Sequence, residues 1–221
     1  DNTTLGGLVL NQQTLPVKSY LTYLTYTSSN AGSTLEMHDR LCHSGGCVLN
    51  VTTSQTTNLP LNLTTLGVSA DRYGDADFSD VMWWLEIYTA GGATASNATI
   101  NVTFDDNSTG NLTPVAVGGT LNVGRMIALD ILRTTAQQAR NIKGINSVIL
   151  SASTGTAGNF GFTCTRTRAT LSVPMANQLV IADWAMLGLP EIGQGACITP
   201  VVFCVTTSTG TVRGQGKVSH G

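Results

Sequence analysis

The sequence predicts an all-β chain: an antiparallel β-sandwich or jelly-roll-like barrel with at most one or two short helices. Three observations predict it. Charged residues make up only 11% of the 221 residues, while 33 are Thr and 24 are Gly. Thr is β-branched and stiff at χ1, which favours strands, and Gly supplies the backbone freedom of tight turns. Short apolar stretches recur at regular spacing between Gly-containing turn signals, the pattern of a sandwich or barrel.

Taken in order, residues 1–18 read as a polar N-terminal arm whose apolar patch is Leu8-Val9-Leu10, and residues 19–221 as a single β domain. In Ser19–Thr27 the aromatics Tyr20, Tyr23 and Tyr26 recur every three residues, which fits a helix face. The Tyr and Thr enrichment favours a strand instead. Residues 34–41 and 47–53 read as two extended pieces around Ser44-Gly45-Gly46, and 58–74 as loop. The run 81–89, VMWWLEIYT, is apolar on both faces apart from Glu86, as a covered central strand should be. Residues 97–104 alternate, with Ala98, Ile100, Val102 and Phe104 on one face, and a hairpin-like loop joins them to 81–89.

Residues 123–139 are the longest stretch compatible with a helical period, though without a clear N-cap. Strands are expected again at 147–153, 160–167, 169–173 and 178–182, then one helical turn at 183–187. Strands at 197–206 and 211–218 close the chain, joined by a hairpin turn at Ser208-Thr209-Gly210.

Composition excludes several function classes. With 11 Lys+Arg, 13 Asp+Glu and a pI near 5.8, the chain lacks the basic surface that tracks phosphates, so no nucleic-acid partner is expected. A mean hydropathy of +0.13 and net charge of −2 do not fit disorder. No apolar run reaches the length of a membrane-spanning helix, and no membrane partner is expected. The N-terminus reads without a signal peptide.

Chemistry-bearing residues concentrate in His38-Asp39-Arg40-Leu41-Cys42-His43-Ser44-Gly45-Gly46-Cys47. His38, Cys42, His43 and Cys47 are candidate zinc ligands, since zinc takes four N or S donors. The usual arrangement, however, is a tight knuckle plus a remote second pair. A Cys42–Cys47 disulfide and two buried thiols beside two ordinary imidazoles are the competing readings. The five cysteines leave the redox compartment open.

Asp71, Asp75, Asp77 and Asp80 form an acidic loop that lacks the order of an EF-hand, so a solvated loop is favoured over a calcium site. Seven N-x-[ST] sequons, at Asn2, Asn50, Asn62, Asn97, Asn101, Asn107 and Asn111, are expected from the Thr content alone. There is no G-x-S-x-G elbow, P-loop or H-E-x-x-H. His occurs only at 38, 43 and 220, and Glu only at 36, 86 and 191. No catalytic residue and no cofactor is assigned. Glu86 reads as the outward residue of its strand rather than as a catalytic acid. Trp83 and Trp84 point to opposite faces, so only one can join a stacking platform or partner contact. Arg166 and Arg168 are further partner-contact candidates, with Leu8, Val9 and Leu10.

Four strings carry a resemblance: DRLCHSGG at 39–46, WLEIYTAGGATASNATINVTF at 84–104, STGTAGNFGFT at 153–163 and LGLPEIGQGACI at 187–198. Together, over about residues 35–220, the chain resembles structural virion proteins of tailed bacteriophages. That resemblance implies a non-enzymatic all-β virion component, with capsid decoration, or cement, as the favoured role. Such a protein would sit on the capsid exterior as a homo-oligomer, commonly a trimer, and bridge subunits of the major capsid protein. The alternatives are a carbohydrate-binding β-module of a tail or fibre, using Trp83 or Trp84 and the Asp loop 71–80, and a hydrolase built on His38 or His43.

Overall fold

A computed structural model describes residues 6–8, 10, 13–119, 123–206 and 210–221. Its strands are β1 (Ser19–Ser28), β2 (Ser33–Cys47), β3 (Leu61–Asn62), β4 (Val81–Thr89), β5 (Asn97–Phe104), β6 (Thr109–Asn111), β7 (Val115–Ala116), β8 (Met126–Ala128), β9 (Ile142–Leu150), β10 (Asn159–Val173), β11 (Val180–Asp183), β12 (Glu191–Ile192), β13 (Ile198–Phe203) and β14 (Val212–His220). Two one-turn helices accompany them, α1 (Ala70–Tyr73) and α2 (Trp184–Leu187). The chain is all-β, as the composition predicts, with its strands in antiparallel sheets.

The residues group into two compact units: residues 1–40 with 166–221, and residues 41–165. Strands β2 and β10, fifteen residues each, contribute to both.

In the first unit, β1 is flanked on one side by β14 and on the other by β11 and β12, while β13 pairs with β2. The three-residue spacing of the Tyr residues has a physical origin here. A bulge between Leu21 and Tyr23 interrupts the pairing with β14 and shifts the alternation. Leu21, Leu24 and Tyr26 are thereby buried together, in a core with Leu35, Met37, Leu171, Val173 and Ile198.

In the second unit, β2 and β10 continue beside β4 and β8, and a further sheet runs β3-β9-β5-β6 with β7 also on β5. Ala98, Ile100, Val102 and Phe104 of β5 are all buried, as their alternation predicts. They share a core with Trp83, Leu85, Ile87, Ile145, Val148, Phe160 and Phe162.

Several expected boundaries differ. The pieces 34–41 and 47–53 become one strand ending at Cys47, because Ser44-Gly45-Gly46 serves close packing rather than a turn. A Cβ on Gly161 would lie 1.9 Å from the Ser44 carbonyl oxygen, so the two backbones touch where only glycine fits. Likewise, 160–167 and 169–173 are one strand, β10. Within 58–74, β3 and α1 form.

The expected helix over 123–139 is instead β8 followed by two 3-10 turns, Asp130–Leu132 and Thr135–Gln137. Pairing of Met126–Ala128 with Glu86–Trp84 extends the first part. The Asp130 carboxylate then accepts the Trp83 amide at 3.0 Å, and a Thr134/Gln137 capping box fixes the second turn. Neither expected hairpin forms: β4 and β5 enter different sheets, and β13 pairs with β2 while β14 pairs with β1. Ser208 and Thr209 of the proposed turn lie outside the described residues.

Candidate functional site

One polar cluster, in the second unit, brings together a histidine, a carboxylate and two hydroxyls. Glu86 and Tyr88 are two apart on β4 and so share a face. His43 on β2 and Thr163 on β10 lie beside them. The buried Thr163 hydroxyl donates to Glu86 Oε2 at 2.6 Å, and the Tyr88 hydroxyl donates to the same oxygen at 3.3 Å. His43 Nδ1 lies 2.9 Å from the Tyr88 hydroxyl and 3.8 Å from Glu86 Oε2. With the Tyr88 proton directed to Glu86, the imidazole donates from Nδ1. The rings of His43 and Tyr88 also meet edge to face, with centroids 5.2 Å apart.

Glu86 is therefore not the outward residue its strand pattern implies: its side chain is 12% exposed and organises three neighbours. The cluster holds a base and a carboxylate, but its only aliphatic hydroxyl, Thr163, is fully buried and spends its proton on Glu86. That arrangement suits a self-satisfied network better than a nucleophile–base pair, which needs a reachable hydroxyl.

A second group lies in the first unit. His38 is fully buried and its Nε2 lies 2.8 Å from Glu36 Oε2, which also accepts from Thr167 at 3.3 Å. Burial is the larger influence on His38 and lowers its pKa, against the hydrogen bond and charge of Glu36, which raise it. Next along β2, Asp39 is fully buried; it pairs with Arg168 at 3.3 Å and accepts the Cys197 amide at 2.9 Å.

The candidate zinc ligands do not converge. Along β2, His38 and Cys42 fall on one side of the alternation and His43 and Cys47 on the other. Among the described residues no group of three or more His, Cys, Asp or Glu side chains comes together. Burial raises the Cys47 thiol to about 11, which disfavours the thiolate a metal takes. The disulfide reading is also corrected. Cys42 and Cys47 are five positions apart on one strand, roughly 16 Å by strand rise, and both are free.

The partner-contact candidates scatter. Both Trp83 and Trp84 are buried, so neither offers a ring to a partner. The Trp83 indole donates to the Ile142 carbonyl at 2.9 Å and the Trp84 indole to Thr165 Oγ1 at 2.7 Å. Tryptophan can go fully inside once its N–H is satisfied. Arg168 is consumed by Asp39, and Arg166 is half-buried. Leu8 is 49% exposed, Leu10 packs on the first unit's core, and Val9 lies outside the described residues.

Asp77 caps its own turn by accepting the Ser79 amide, and Asp71 sits in α1. Two sequon residues are tied into their sheet: Asn101 donates to Asn111 at 2.7 Å and accepts from Asn146 at 2.9 Å. Of the main cluster, sequence reading missed Tyr88 and Thr163. The Glu86-x-Tyr88 spacing could have found the first; Thr163 needs the strand order, which no local pattern supplies.

No protein family and no curated protein matches the chain. A mutant VP2 protein of infectious bursal disease virus, in derived T=1 particles, is 13% identical, with a TM-score of 0.16 over 94% of this chain. The chain spans 64% of that protein's length. A second structure of T=1 particles derived from the same virus gives 14% identity and a TM-score of 0.15. At those scores the likeness carries no weight for fold or function.

Two outcomes follow from the clusters. Thr163→Val keeps the shape but removes a donor from Glu86, so it should lower stability by about 1–3 kcal/mol in urea unfolding; a loss below about 0.5 kcal/mol would show that the network contributes little. His38 binds its proton less readily folded than unfolded. Its contribution to stability is thus complete above the ordinary value of 6.5 and is lost as pH falls toward the lowered one. The melting temperature should drop between about pH 7 and about pH 5, and His38→Gln should flatten that slope. An unchanged slope in the variant would assign the pH dependence elsewhere.

Proposed function

We propose that this chain is a non-enzymatic structural component of a tailed-phage virion: a capsid decoration protein on the capsid exterior that bridges major capsid subunits as a homo-oligomer, with a trimer favoured. The observation that carries the assembly reading is an apolar surface run in the first unit. Met175, Leu179, Ile181, Trp184, Met186 and Leu189 are each between 41% and 74% exposed, all within β11, α2 and the loops around them. A soluble monomer seldom leaves so many large apolar side chains exposed along one short stretch, and surfaces of this kind mark protein–protein contacts.

The polar side chains support the same reading from the other direction. His38, Glu36, Asp39, Arg168, Glu86 and Thr163 are engaged with one another rather than aimed at a vacant site. The four strings that resemble phage virion proteins supply the particle, and a low-charge surface suits a protein largely covered by neighbours. The carbohydrate-binding alternative loses its platform with both Trp83 and Trp84 buried. For the hydrolase alternative, the Thr163 hydroxyl near His43 is buried and already donates to Glu86.

Cryo-electron microscopy of intact particles tests this directly. Density for this chain between capsomers on the outer surface is the expected result. Its absence from the capsid lattice, or its presence in the tail alone, would remove the cement role.

A further inference from the structure

We propose that the outer edge of β11, with the apolar side chains beside it, is a two-fold contact through which this chain pairs with a second copy of itself, β11 against β11. The inference deepens the assembly reading and rests on it for the run 175–189. It joins copies in pairs, whether free chains or neighbouring trimers.

The edge follows from the pairing. Tyr23–Tyr26 of β1 carry β14 on one side and β11 on the other. Among the described residues β11 pairs with β1 alone, so alternate amides and carbonyls of residues 180–183 point away from the sheet with no strand beside them. Sheet edges are ordinarily blunted by charge, proline or a bulge. The register of β11 on β1 is regular, and its one charge is its last residue, Asp183. That carboxylate is turned into α2, where it accepts the Ala185 and Met186 amides at 3.1 and 3.0 Å.

The side chains define the strand that fits. Val180 and Ala182 face the first unit's core, while Ile181 is 47% exposed on the opposite face. Leu179 precedes it and Trp184 and Met186 follow, at 55%, 61% and 74% exposed. From Pro174 to Pro190 the only charged residue is the Asp183 already used. An occupant must therefore be an extended, uncharged strand with apolar side chains on its outward face and at its ends.

A second β11 meets each condition. In an antiparallel pair centred on Ile181, Val180 lies opposite the partner's Ala182 and Ile181 opposite its own counterpart. Inward residues then stay with inward and outward with outward. Leu179 of each chain comes toward the Asp183–Trp184 corner of the other. The face carries no free charge to repel its copy, and a self-complementary patch is what a two-fold axis requires. Pairing consumes both β11 edges, so association at this face stops at two.

Sedimentation of the purified full chain should show an even-numbered species that Ile181→Lys halves in mass, with the circular dichroism unchanged. A wild-type monomer, or an oligomer of unaltered mass in the variant, would overturn the inference. Independently, Ile181→Cys places two thiols across the axis, where opposed Cα atoms stand about 4.5–5.5 Å apart, within reach of a disulfide. Oxidation should give a covalent dimer whose digest contains a peptide linked through position 181 of both chains. Ile149→Cys, at the comparably exposed Ile149 of the second unit, should give none. Absence of the 181-to-181 link, or an equal yield from Ile149→Cys, would overturn the edge pairing. Should Ile181→Lys unfold, the cross-link decides. Absence of the chain from capsids would defeat the virion reading and leave a dimer standing, whereas a monomer found on capsids would defeat this contact alone.

Discussion

The rest of the structure depends on the adjacency of β2 and β10. Each is fifteen residues long, and each supplies side chains to both compact units. Their contact is close because glycine permits it at Gly161, where no side chain fits against the Ser44 carbonyl. Strands of this length are well beyond the usual five or six residues, and a register slip of one residue would turn every side chain to the opposite face. In the first unit Glu36 and Asp39 on β2 meet Thr167 and Arg168 on β10; in the second, His43 on β2 lies beside Thr163 on β10.

That constraint explains how the few titratable groups are used. Asp39 and Arg168 are a buried ion pair, and such pairs gain little net stability because both charges lose their water. Losing one partner, however, strands the other, so the pair penalises a wrong register more than it stabilises the right one. The Glu86 network works similarly: a carboxylate among strands is tolerable because Thr163 and Tyr88 both donate to it. These groups specify the sheet. Large apolar side chains stand exposed instead along the run 175–189.

Much of this was legible in the sequence. The alternation of 97–104 and the apolar run of 81–89 locate β5 and β4 because their periods reflect burial on one face and on both. Tyr20, Tyr23 and Tyr26 gave an ambiguous period because a bulge changes the alternation between Leu21 and Tyr23, and a bulge leaves no composition signal. Ser44-Gly45-Gly46 read as a turn because glycine marks both turns and close backbone approach, and only the neighbouring strand distinguishes them. The 123–139 stretch read as helix because Met126, Leu129 and Leu132 fit a 3.6 period; edge pairing with β4 and the Asp130 cap override it. Of the main cluster, His43 and Glu86 stood out singly. Their meeting requires knowing that β4, β10 and β2 are neighbours, which is a long-range fact.

Among the named strands, β2 and β10 each have two neighbours whereas β13 and β14 each have one, so the β2–β10 pair should be the most persistent part of the chain. Hydrogen exchange read by mass spectrometry on the isolated chain measures this directly. Peptides covering residues 35–43 and 160–171 should be the slowest to exchange, and those from 198–203 and 212–220 markedly faster. Equal protection of the two sets, or slower exchange in β14 than in β2 and β10, would contradict the account.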